Sequence, residues 1–136
     1  MNAAPSQLER VKIAARLALG LIWLYEGLVP KILFLRADQV ALVERSGLVW
    51  RSPQFTLQIL GLAQAAMGFW LLTGLAERRA SILASVWMCV LIVLVVINNP
   101  SLLVDPYGAL VKDLSLLASA YAVWVLSGQK RSDQNP

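Results

Sequence analysis

Histidine is absent from this chain, and cysteine occurs once, at Cys89. Those two counts exclude an internal disulfide and a Cys/His zinc site, and they remove the usual ligand of a b-type haem. Redox chemistry would therefore need a borrowed cofactor. Charge is scarce as well: 15% of the 136 residues are charged and 58% are hydrophobic, more apolar surface than one small core can hide. Part of it must face lipid. The net charge of +4 does not point to nucleic acid, because Lys and Arg flank apolar runs rather than forming a basic stripe with interleaved aromatics.

What is present reads as a single domain, residues 1–136, with apolar spans at about 12–35, 54–75, 80–98 and 107–127. At about 20 residues per crossing, four helices and short loops use nearly the whole chain. The predicted fold is all-α, a polytopic bundle of four transmembrane helices. Ser6 and Glu9 have capping-box spacing and start a helix ahead of the membrane. The first span has no small-residue cleavage site after a short apolar core, so it is expected to be retained. Between the first two spans, Arg36 to Ser52 is amphipathic, with Asp38 as cap of a short helix, an end near Gly47, and Trp50 and Arg51 at headgroup level. Ser52-Pro53 opens the second span and Asp105-Pro106 the fourth, each as a cap followed by a first-turn proline, while Asn98-Asn99-Pro100 closes the third.

Arg10, Lys12, Arg16, Arg78, Arg79, Lys130 and Arg131 fall on one side of such a bundle and Arg36, Arg45 and Arg51 on the other. Both termini are thus expected in the cytoplasm and the protein in the inner (plasma) membrane. This topology collects Glu26, Lys31, Gln64, Asp105, Lys112 and Asp113 in the outer half of the bilayer and leaves the inner half almost purely apolar. The first span needs such company. Its eleven strongly apolar residues between Leu17 and Leu35 contribute roughly 3 to 7 kcal/mol towards insertion, and each unpaired central charge costs about 2.5 to 3.5 kcal/mol. Glu26 and Lys31 lie about 140° apart around an ideal helix, so they meet only if Pro30 bends it. A cross-helix pair of Glu26 with Lys112 is the simpler solution.

Plainer readings stand beside these. The Glu26–Lys112 pair would serve equally as a device that fixes helix register. Gln54, Gln58, Gly61, Ala65 and Gly68, with Gln64 beside them, read as a close-packing face with glutamine as interhelical glue, and Ser115, Ser119 and Ala122 read likewise. Cys89 reads as a small buried hydrophobe, and Trp23, Trp70, Trp87 and Trp124 as packing or interface anchors.

The run Trp23-Leu24-Tyr25-Glu26-Gly27-Leu28-Val29-Pro30-Lys31, then Leu60-Gly61-Leu62-Ala63-Gln64, Asn99-Pro100, and Val104-Asp105-Pro106-Tyr107-Gly108 with Lys112 resembles the DoxX-like membrane proteins. That resemblance implies a four-helix membrane bundle, and the namesake of the family is similar to the small subunit of a thiosulfate:quinone oxidoreductase. This chain departs from the family pattern at Gln64, where glutamate is frequent, and at Asp113, where asparagine is frequent. Gln64 cannot carry a proton, and without histidine or a cysteine pair the chain is not expected to oxidise thiosulfate by itself.

Three function classes follow. The first is an accessory or anchoring subunit of a quinone- or redox-linked or envelope-associated enzyme, whose outer polar cluster binds a partner or a small polar group, with lipid around it and a membrane or soluble enzyme subunit, or a further copy of the chain, as partner. In the second, the polar cluster is a quinone- or lipid-binding site of a membrane oxidoreductase subunit, with Glu26 as proton acceptor and Lys31 or Lys112 neutralising charge. No cofactor intrinsic to the chain is expected; quinone is the borrowed one that fits the resemblance. The third is a small proton-coupled exporter, which wants a carboxylate free to exchange, whereas two lysines accompany Glu26 here.

Overall fold

A computed structural model describes residues 6–104 and 109–132. It is a helical bundle. Helix α1 (Gln7–Leu28) continues into a π-helical turn, Val29–Leu33; α2 (Ala37–Ser46) is short; α3 (Pro53–Thr73) and α4 (Glu77–Asn98) are long, and a 3₁₀ turn, Pro100–Val104, precedes α5 (Ala109–Ser132). Among the described residues, the stretches Gln7–Leu33, Pro53–Thr73 and Glu77–Asn98 are long and apolar enough to cross a membrane.

The helix ends follow local chemistry. Ser6 Oγ accepts from the Glu9 amide at 3.2 Å, and Ser52 Oγ accepts from the Phe55 amide at 3.1 Å ahead of Pro53. Gly47 ends α2 and Gly74 ends α3, both in the left-handed region that glycine enters without strain. At the start of α2 the cap is Arg36, not Asp38; both Asp38 carboxylate oxygens instead accept from the Arg36 guanidinium at 3.0 Å. Asn98 is the last residue of α4, as the following Asn-Pro dictates. The expected Asp105-Pro106 cap and Tyr107 lie outside the described residues. The helices begin and end a few residues from the expected spans because local chain chemistry, not hydropathy, sets helix ends: α1 starts at Gln7 behind the Ser6 cap, and α4 at Glu77 behind the left-handed Ala76, which gives no side-chain cap.

Helices α1 and α3 run against each other on glycine. A Cβ on Gly27 would come within 2.5 Å of the Gly61 carbonyl and 2.6 Å of the Ala65 amide, and one on Gly68 within 2.5 Å of the Leu24 amide. Backbone thus meets backbone, and the small-residue face of Gly61, Ala65 and Gly68 is used as expected. The glutamines do not act as glue there: none of Gln54, Gln58 and Gln64 makes a side-chain hydrogen bond among the described residues.

The apolar middle is shared by all four long helices. Leu19 and Trp23 of α1, Met67 and Leu71 of α3, Ala80, Ala84 and Met88 of α4, and Leu116 and Ala120 of α5 form one buried cluster. On α5 the buried line is Leu116, Ala120 and Val123, while Ser115 is exposed and its hydroxyl bonds back to Val111. The serine face expected to pack is therefore not the packed one. Cys89 is exposed, not buried, on α4 beside the exposed Val86, Val90 and Val93. In a bilayer an apolar residue is at home on either side of a helix, so apolarity alone cannot tell core from lipid face.

Candidate functional site

Following the buried lines of the bundle away from its middle leads to the candidate site. On α1 the line runs Leu19, Trp23 and then Glu26; on α3, Leu71, Met67 and then Gln64; on α5, Ala120, Leu116 and then Asp113, each step three or four residues. Gly27 packs on the Ala65 amide, which sets Glu26 and Gln64 at one level. Three apolar lines thus turn polar together at the end of the bundle that carries α2.

Glu26 is the hub. Lys112 Nζ lies 2.5 Å from its Oε1, tying α5 to α1. Lys31 Nζ donates to the Glu26 backbone carbonyl at 2.8 Å and stands 3.9 Å from the Oε2 of the same residue. The reason lies in Pro30. In an α-helix the amide of residue 30 would bond the carbonyl of residue 26, and proline has no amide hydrogen to give. The chain instead widens into the π turn, closed by the Phe34 amide donating to the Val29 carbonyl at 2.8 Å. Lys31 swings round and supplies the missing hydrogen. The bend that would let Glu26 and Lys31 meet is thus present, and the glutamate binds both lysines.

The remaining residues are less completely held. Asp113 is within electrostatic reach of Lys112, Glu26 and Lys31 but makes no hydrogen bond among the described residues. Gln64 is 6% exposed and its amide, too, has no such partner. One turn below Glu26, the buried Trp23 Nε1 also lacks an acceptor. A buried polar group left unpaired costs about 1–3 kcal/mol, a cost that falls here on the Trp23 indole. Lys112 is the open edge, its side chain 47% exposed. The described charges, Glu26 and Asp113 against Lys31 and Lys112, sum to zero. Asp105 lies outside the described residues. No group of three or more potential metal-ligating side chains occurs among the described residues.

A second charged layer closes the opposite end, where flanking basic residues were expected. Lys12 is buried and its Nζ lies 2.5 Å from Glu77 Oε1, while Arg16 Nε is 3.6 Å from Glu77 Oε2. Arg16 Nη1 also donates to the carbonyls of Leu71 and Leu72 at 2.9 and 3.1 Å, capping the end of α3. Lys12 and Arg16 continue the α1 line of Leu19 and Trp23 in the other direction, and that spacing is the sequence signal that marks them as more than flanking charges. The fourteen residues from Lys12 to Glu26 span about 21 Å of helix. The two charged layers thus lie toward opposite ends of α1.

Neither the curated proteins nor the solved structures contain a match to the chain. A family model does match, over residues 20–124, a stretch that runs from the Gly20 contact of α1 to Trp124 of α5 and includes every residue of the polar layer. The chain belongs to the DoxX-like family.

Proposed function

We propose that the chain is an accessory subunit of a membrane-associated, quinone-linked enzyme. In this reading the Glu26–Lys31–Gln64–Lys112–Asp113 layer, with Asp105 beside it in sequence, receives a polar group brought by a quinone, a lipid or a partner subunit. One observation carries the reading: Gln64 is enclosed at the level of Glu26, and its side chain makes no hydrogen bond to any described residue. A pure register device would gain by satisfying that amide or replacing it with hydrocarbon. Glu26, held by two ammonium groups, is badly placed to exchange a proton for a cation, which speaks against the exporter. The quinone link follows from the family resemblance.

Four crossings are part of the same proposal. Helix α5 is 24 residues long and packs along α1 and α4, and the distribution of basic residues favours both termini in the cytoplasm and the inner membrane as location. The test is purification of the full chain in mild detergent, with identification of co-purifying lipids, quinones and proteins. A compound or subunit retained by the natural chain and lost from Gln64→Leu supports the proposal. The same set retained by both, in equal amount, refutes it.

A further inference from the structure

At the end of the bundle opposite the polar layer, one exposed guanidinium lies against an aromatic ring and has no counterion among the described residues. Arg78 lies with its Cζ 5.4 Å from the centroid of the Trp124 ring, a cation–π distance. A Cβ on Gly128 would stand 3.8 Å from Arg78 Nη1, so the group rests between the aromatic face and the bare backbone of α5. Glu77, its sequence neighbour, is already taken by Lys12 and Arg16. Among the described residues no carboxylate pairs with Arg78 or with the exposed Arg79 that follows it.

Below Arg78 the surface of α4 is hydrocarbon. Ile82, Val86, Val90, Val93 and Ile97 follow at steps of three or four residues and are all exposed, in a helix that is long and apolar enough to span a membrane. A seated cation at the head of an exposed apolar stripe matches an amphiphile with a negative head and an acyl tail. We infer that Arg78 on Trp124 is the headgroup site for one anionic phospholipid, whose acyl chain lies along the outer face of α4. The phosphodiester oxygens would accept the guanidinium hydrogens that no carboxylate among the described residues uses. This site is independent of the polar layer at the other end.

The test uses the full chain, stripped of lipid in detergent, then titrated with phosphatidylglycerol or with phosphatidylcholine of the same acyl chains. Native mass spectrometry counts the bound lipid. The natural chain should retain one phosphatidylglycerol in preference to phosphatidylcholine, and Arg78→Ala should weaken that binding about fivefold, the worth of one basic residue at an anionic surface. Trp124→Leu keeps the charge but removes its seat and should also reduce the preference, so the inference stays testable if Arg78→Ala does not fold. Arg51→Ala is the control. Arg51 lies over Phe55 at 5.6 Å at the other end, and its loss should leave the measured site unchanged. Equal retention of the two lipids by the natural chain, or a preference undiminished in the folded Arg78 and Trp124 variants, would overturn the inference.

Discussion

Lys31 donates its ammonium hydrogen to the Glu26 carbonyl, at 2.8 Å, in the place where the amide of residue 30 would donate if it were not proline. Backbone and charge are therefore coupled at this point, and altering one should move the other. Pro30→Ala restores the amide donor and should let the π turn relax towards α-helix. Hydrogen exchange across residues 30–34 should slow, because a π turn of poorer geometry is replaced by regular bonds. Unchanged exchange would show that Pro30 is not what holds the turn open.

The glycine contacts between α1 and α3 give a second expectation. Gly27→Ala brings a methyl against backbone that cannot turn aside and should lower stability by about 1–3 kcal/mol or more, read as thermal unfolding in detergent. Gly128→Ala meets nothing nearer than 3.8 Å and should be neutral or gain up to about 1 kcal/mol from helix propensity. Equal effects at the two positions would mean that close approach is not what selects glycine at Gly27.

The charged layer at the α3–α4 turn should behave as a buried pair. Glu77→Gln leaves Lys12 without its carboxylate and should cost about 3–5 kcal/mol, while adding Lys12→Met should recover part of the loss. Additive losses in the two changes would separate the residues energetically.

Much of this arrangement is legible in the sequence, for identifiable reasons. Caps at Ser6 and Ser52 and the stop at Gly47 are local chemistry, and local chemistry survives folding. The approach of Glu26 to Lys112 follows from hydrocarbon, which forces a charge to find its opposite. Lys12 and Arg16 read as topology signals because flanking charges usually are; only the turn that delivers Glu77 shows that they point inwards. Cys89 and the Ser115 face were misplaced for one shared reason, since lipid accepts the same residues as a core and α5 is turned by one position from the expected face. Gln64 read as glue because an amide in a membrane helix ordinarily finds a partner.

Glu26 and Lys112 should be coupled across the α1–α5 contact. Glu26→Gln and Lys112→Met should each destabilise, and the double variant should be less damaged than the sum of the two, by about 0.5–3 kcal/mol. A double-mutant cycle of thermal unfolding in detergent measures the difference, and strict additivity would remove Glu26 as hub of the layer.

The central claim, that the layer around Glu26 is kept for binding rather than for holding helices together, turns on Gln64. Gln64 is enclosed and its side chain makes no hydrogen bond among the described residues, so Gln64→Leu exchanges a polar group without a protein partner for hydrocarbon of similar volume in the same line as Met67 and Leu71. The melting temperature of the purified chain in detergent should rise, by the equivalent of roughly 0.5–2 kcal/mol. A fall of similar size would contradict it, because it would mean that the glutamine supports the bundle and that the polar layer is part of the scaffold.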